Sequence, residues 1–244
     1  MFAMEKAEFY SELARVFALC NIPAPGEAEG ELFYRFAEHL VTENERYNLT
    51  AITEPHAVIL RHFADSACLC RFLPADLSLL DVGCGAGFPT LPLAIMRPDL
   101  RITAMDATKK RVDFVSATAK LLGLTNVTAV CGRAEDLAKT ELREYFDCVT
   151  ARAVAELRVL AEISVPFVRV GGRFLCMKAK SADEELAAAQ AGIGTLGARL
   201  TAREDFSLTD GEEELCRTAL VFKKNKPTPQ GFPRAWARIQ KKPL

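Results

Sequence analysis

A chain of 244 residues, half of them hydrophobic and 26% charged, is long enough for one sizeable core and too apolar for a disordered segment. Its net charge of −1 hides an asymmetry: from Leu215 onward there are eight Lys/Arg and no Asp/Glu, so the preceding 214 residues carry −9. The eight cysteines include no Cys-x-x-Cys pair and the three histidines lack zinc-ligand spacing, which excludes a disulfide scaffold and argues against a metal site.

In chain order, residues 4–20 place Phe9, Leu13, Val16, Phe17 and Cys20 on one face at helical spacing. Pro23, Pro25 and Gly26 end that helix, and a second follows over about 27–46 with Leu32, Phe33, Phe36, Leu40 and Val41 apolar. Nine glutamates against three Lys/Arg in residues 1–45 make this pair an acidic cap that does not grip RNA. The same early acidity (Glu5, Glu8, Glu12) argues against a signal peptide. After the linker Asn48-Leu-Thr-Ala-Ile-Thr53, Thr53 is placed to cap a helix with Pro55 in its first turn. On that helix His62 and Asp65 stand at i and i+3, able to bond each other or line a pocket.

From residue 78, strands and helices alternate. Strands are expected at 78–82, 101–105, 126–130, 148–151 and 173–178, with helices at about 89–97, 108–122, 135–144, 155–168 and 182–196. Parallel neighbours need such crossovers. Strands at about 200–208 and 217–223, joined by an acidic turn, form an antiparallel hairpin. The outline is α/β: a class I, Rossmann-like methyltransferase fold, with a mostly parallel seven-stranded sheet, a C-terminal hairpin and an N-terminal helical cap. Residues 1–77 are assigned to the cap, 78–224 to the core and 225–244 to a basic, proline-rich tail. The most apolar window, 79–96, holds Asp81, three glycines and two prolines, so it is a buried strand-turn-helix and a poor membrane span. Thiols such as Cys131, Cys148 and Cys176 lie in apolar runs and read as core residues of a cytoplasmic protein.

In an open α/β sheet the ligand lies beyond the carboxyl ends of the strands. Strand one delivers Gly83, Gly85, Gly87 and Phe88. Phe88 stands where a dinucleotide fingerprint has its third glycine, and Asp81 precedes the loop, a pattern closer to an S-adenosylmethionine (AdoMet) loop than to a pyrophosphate cradle. Strand two ends at Asp106, a candidate for the ribose hydroxyls that is equally able to cap the following helix. Ala134 and Glu135 follow strand three, where an adenine edge could be read. Strand four delivers Arg152 into the cleft, and strand five ends at Lys178.

These residues together resemble the bacterial ribosomal small-subunit methyltransferase G family, also called glucose-inhibited division protein B. The segments that match are Tyr47-Asn-Leu-Thr-Ala-Ile-Thr53, Arg61-His-Phe-Ala-Asp-Ser66, Asp81-Val-Gly-Cys-Gly-Ala-Gly-Phe-Pro89, Lys110-Arg111, Arg133-Ala-Glu135, Arg152-Ala-Val-Ala155 and the tail from Phe232-Pro-Arg234 to Leu244. Thr90 and Ala179 stand where the family usually has glycine. The resemblance implies AdoMet-dependent methylation of the N7 of one guanine in the 530 loop of 16S ribosomal RNA, naked or in the 30S subunit, by a monomer without metal or membrane. It implies that Gly83, Phe88, Ala134, Glu135 and Arg152 bind the cofactor, Arg152 standing at the reaction, with Gly85, Gly87 and Asp106 beside them. Asn48, His62, Lys178 and Arg234 are the expected substrate contacts. A nicotinamide dehydrogenase would need the third glycine and a proton relay. A methyltransferase of small molecules or proteins would not need the basic tail, and a non-catalytic AdoMet-binding assembly factor is the remaining alternative. In the tail, Phe232 and Trp236 interleave with Lys/Arg and prolines oppose regular structure. It is therefore expected to be an extended RNA-binding segment, outside the core and without influence on AdoMet affinity.

Overall fold

Residues of the apolar run Ser78–Val82 (β1) divide between two layers of side chains. Leu79 enters one apolar cluster while Leu80 and Val82 enter the other, as alternation along a strand requires. The computed structural model describes residues 2–152, 155–179 and 182–244. In it β1 lies between β2 (Arg101–Asp106) and β4 (Phe146–Ala151), parallel to both, with Leu79 opposite Ile102 and Leu80 opposite Val149. β3 (Val127–Cys131) flanks β2, and β5 (Val168–Lys178) flanks β4, again in parallel. β7 (Glu214–Lys224) is inserted antiparallel between β5 and β6 (Ala198–Thr209). The resulting order, β3-β2-β1-β4-β5-β7-β6, reverses only β7. This is the expected Rossmann-like sheet with its terminal hairpin.

One face is covered by α1 (Lys6–Leu19), α2 (Glu27–Tyr47), α5 (Thr90–Met96) and α6 (Lys109–Leu122), whose apolar residues share the cluster of Leu79. The acidic cap is thus solvated on one side only. Phe9, Phe17, Phe33 and Phe36 are fully buried. α8 (Leu157–Ser164) and α9 (Ala182–Thr195) cover the other face. α3 (Pro55–Val58) continues through a π-helical turn (Ile59–Ala64) into α4 (Asp65–Ala67).

Several expectations change locally. Glu54, not Thr53, caps α3: its carboxylate accepts from the amides of His56 and Ala57, at 3.1 and 2.7 Å. The helix expected over 135–144 is only α7 (Ala134–Leu137). It ends because the Thr140 hydroxyl bonds back to the Leu137 carbonyl and competes with the backbone. β5 begins five residues early because Gly171 and Gly172, expected to break structure, form an irregularity inside it. A Cβ on Gly172 would sit 2.7 Å from the Asp147 carbonyl oxygen. Cys131, expected in the core, is exposed at the end of the edge strand β3.

The tail differs most. Residues 236–241 form α10 (Trp236–Lys241), and its Ile239 is fully buried in the second cluster. Arg143 ties the preceding segment down through the carbonyls of Phe232, Thr228 and Pro229 at 2.7, 2.8 and 3.3 Å. Three basic residues, two at the end of β7 and one in the tail, are consumed internally. Lys224, 1% exposed, pairs with Glu144 at 2.8 Å, Lys223 donates to the Gly171 carbonyl, and Arg234 forks onto Glu162 at 2.7 and 2.5 Å. The prolines shape this path without keeping it off the core.

Glu162 is fully buried, so removing its partner leaves an orphaned charge. Arg234→Ala should lower unfolding free energy by about 3 kcal/mol in urea titrations. Adding Glu162→Gln to that variant should restore part of the loss. A change within about 0.5 kcal/mol, as for an ordinary surface site, would show that the pair does not hold the tail.

Candidate active site

The chain order reverses between β1 and β4, and a cleft of about 470 Å³ opens there, at the carboxyl ends of β1 to β4. Its floor is the glycine turn. Gly83, Gly85 and Gly87 have φ of +77°, +55° and +89°, a left-handed conformation natural to glycine. The amides of Gly83 and Cys84 both donate to the Met105 carbonyl, at 2.8 and 2.9 Å, binding the turn to the end of β2. Gly83 and Gly85 line the cleft, and a Cβ on Gly85 would meet only the Gly83 carbonyl, at 4.0 Å. Gly87 serves a different purpose: it is not among the cleft walls, and a Cβ there would strike Leu91 at 2.5 Å. Its hydrogen seats the turn against α5.

Asp106 combines both roles weighed for it. One carboxylate oxygen accepts from the Thr108 amide at 2.8 Å, starting α6, and the other accepts from the Gly85 amide at 3.1 Å. The latter oxygen also faces the Arg111 guanidinium at 3.5 Å, and the Thr108-bonded oxygen keeps a lone pair for a ligand in the cleft that Asp106 lines. Gly132, Arg133, Ala134 and Glu135 also line it, together with Ile163 of α8 and Trp236 of the tail. A tail residue therefore belongs to the glycine-loop constellation, contrary to the expectation from sequence.

Another part of the lining is built around Phe88. Its ring stacks on His62 at 4.2 Å between centroids and on Phe36 of α2 at 5.2 Å, and the Arg152 guanidinium lies 5.4 Å over it. His62 does not bond Asp65. Its ring meets Thr50 Oγ1 at 2.9 Å through Nε2 and Arg152 at 3.4 Å through Nδ1. A guanidinium can only donate, so Nδ1 accepts and Nε2–H donates to Thr50. Burial, then the Arg152 charge, pushes His62 down to about 3, so it is neutral at physiological pH. Asp65 is instead clamped between Arg152 at 2.7 Å and Arg217 of β7 at 2.6 Å. The bonds of Arg152 to Asp65, the Arg61 carbonyl and His62 use three of its five N–H groups. Arg217 was not foreseen: nothing in a hairpin strand signals an approach to a helix 152 residues earlier.

Other expected contacts lie elsewhere. Asn48 is exposed at the C-cap of α2 with φ of +50°, and its neighbours Leu49 and Thr50 form the cleft wall. Lys178 is paired with Glu185 at 2.7 Å and donates to the Ala155 carbonyl at 3.1 Å, so its charge fastens β5 to α9. Arg234, on Glu162, supports the tail. Ala153 and Val154 of the strand-four motif lie outside the described residues. Thr90, one of the two departures from the family pattern, has a partner: its hydroxyl donates to Asp81 at 2.6 Å. Asp81 is fully buried, and its other oxygen has no partner among the described residues. Desolvation raises Asp81 to about 7, against the hydrogen bond from Thr90 and the charge of Arg152.

The raised Asp81 makes the folded chain bind a proton that the unfolded chain has released. Stability from this group is present below the ordinary carboxylate pKa and is lost as pH rises through about 7. Thermal midpoints without ligand should therefore show a decline between about pH 4 and pH 7 that Asp81→Asn removes. Parallel pH profiles for the two proteins would show that Asp81 is not protonated in this window.

Comparison with known proteins agrees with this geometry. Two solved structures share the fold: M. jannaschii TYW2 in complex with AdoMet, at TM-score 0.52 and 16% identity, covers 66% of this chain and 74% of that one. TrmN from Thermus thermophilus, at TM-score 0.51 and 19% identity, covers 66% and 48%. Two relatives named ribosomal RNA small subunit methyltransferase G are far nearer in sequence. That of Leuconostoc citreum is 45% identical over 223 residues, 89% of this chain and 92% of the relative. That of Deinococcus radiodurans is 45% identical over 207 residues, 84% and 81%. The profile of the family described as rRNA small subunit methyltransferase G matches residues 29–213. With identity of this extent laid over the cleft just described, the chain belongs to the rRNA small subunit methyltransferase G family.

Proposed function

We propose that this chain transfers the methyl group of AdoMet to N7 of one guanine in the 530 loop of 16S ribosomal RNA. The observation that carries this reading is the convergence, in one cleft, of the Gly83–Gly85 turn and Asp106 with the Phe88–His62–Arg152 wall. The residues fit the cofactor. Gly85 leaves open space where backbone can meet a ligand, and Asp106 offers acceptors for two ribose hydroxyls. Gly83, Phe88, Ala134, Glu135 and Arg152 complete the proposed cofactor contacts, and His62 stands on the substrate side.

AdoMet supplies a methyl group already activated on a sulfonium. Guanine N7 carries a free lone pair in the neutral base, so no side chain need remove a proton before attack. The neutral His62 and the carboxylate of Asp65 suit that chemistry, since neither adds a cation where the purine becomes positive. Arg152, with two donors uncommitted among the described residues, is placed to hold the AdoMet carboxylate or an RNA phosphate in a paired grip. The chain's main contribution is alignment, which can be worth up to about 7–11 kcal/mol. The Asp65 clamp, with an arginine on each carboxylate oxygen, keeps Arg152 in one orientation. On the RNA side, Arg238, Lys241 and Lys242 of the tail are exposed and available to phosphate.

Radiolabelled AdoMet offered with 30S subunits, stripped 16S RNA and bulk protein tests the reading. Label should enter RNA, in one or both forms; label in protein or nowhere would overturn it. Asp106→Ala should weaken AdoMet binding by about 10–100-fold in calorimetry, the loss of one or two charge-assisted hydrogen bonds. Arg152→Lys should lose about 100-fold in methyl transfer with little change in melting temperature, because an ammonium cannot reproduce the fork. Full activity would mean that only diffuse charge is needed. Neutralising Arg238, Lys241 and Lys242 together should flatten the log–log salt slope of RNA binding by about 2 units. An unchanged slope would remove them from the RNA surface.

A further inference from the structure

The tail is held to the core by more than its charges. Arg143 binds three of its carbonyls, Arg234 is locked on the buried Glu162, and Ile239 fills the second apolar cluster. Its last residue is seated too: a Cβ added to Gly192 of α9 would lie 2.6 Å from Leu244 Cβ. Between these anchors Trp236, the only tryptophan in the chain, is half-buried and lines the same cleft as Asp106, Ala134 and Glu135. α10, which it opens, packs on α8, the helix that contributes Ile163 to the same cleft.

A tail that served RNA alone would have no reason to place its one indole there. Asp106 marks the ribose end of the cleft and Phe88 the end where methyl transfer occurs. The wall shared by Ala134, Glu135, Ile163 and Trp236 then faces the remaining part of the cofactor, the purine. A flat aromatic face beside an aliphatic one suits a planar heterocycle, and stacking of a base on an aromatic side chain is worth about 1–3 kcal/mol by alanine substitution. We infer that the C-terminal tail is part of the cofactor site, with Trp236 forming the wall over the adenine of AdoMet. The assignment rests on the reading that AdoMet occupies this cleft. It makes folding of the tail a condition of tight cofactor binding, so that one segment carries both exposed phosphate-binding charge and a cofactor contact.

The single tryptophan is its own reporter. S-Adenosylhomocysteine titrated into the full chain should change tryptophan emission, with a midpoint equal to the calorimetric Kd. Trp236→Ala should weaken that Kd by about 10-fold or more. Trp236→Phe, which keeps an aromatic face and the packing on α8, should retain most of the affinity, and circular dichroism should show both variants folded. RNA affinity measured without cofactor should be unchanged in both. Silent emission across calorimetric saturation, or an unaltered Kd in a folded Trp236→Ala variant, overturns the assignment while leaving the AdoMet reading intact. Absence of binding to the unmutated chain overturns both.

Discussion

The bond from the Gly85 amide to the Asp106 carboxylate joins the turn after β1 to the end of β2, and the site depends on that join. Three left-handed glycines in five residues would be a costly segment to order by itself. The Met105 carbonyl, taking two amides, and Asp106, taking a third, make the turn part of the sheet edge. Asp106 can do this and still face a ligand because a carboxylate accepts about four hydrogen bonds. The fixed turn then places Phe88 where it can touch the helices of the cap.

That contact gives the N-terminal helices their part in function. Phe36 of α2 and His62 both stack on Phe88, so the cap supports this part of the cleft lining. His62 comes from the π-helical turn, which shifts the face that the following residues present. Asp65, a turn later, meets Arg152, directly after β4, and Arg217 of β7. Helix, parallel strand and antiparallel hairpin are thereby tied at one carboxylate.

The fold and the floor of the site were legible in the sequence because both rest on local signals. Strand periodicity, crossover lengths, a glycine turn after an apolar run and a carboxylate at the next strand end each occupy a few neighbouring residues. Residues whose role depends on distant partners were harder to read. Arg217 and Lys178 look alike as cations at strand ends, yet one reaches Asp65 beside the cleft and the other pairs with Glu185 of α9. The tail was misread for the same reason. Its prolines and charges describe an extended basic segment, and nothing near them in the sequence announces Glu162, Arg143 or the α8 surface that Trp236 joins. The reason for Thr90 also lies nine residues away, in the buried Asp81.

The central claim, methylation of guanine N7 in 16S ribosomal RNA, is tested most directly by locating the new methyl group. RNA treated with the protein and AdoMet is reduced with borohydride and cleaved with aniline, which cuts the chain at N7-methylguanosine. The account predicts AdoMet-dependent scission at one guanine of the 530 loop, lost in Arg152→Ala. Scission at many guanines, or methylated RNA that resists cleavage altogether, would contradict it.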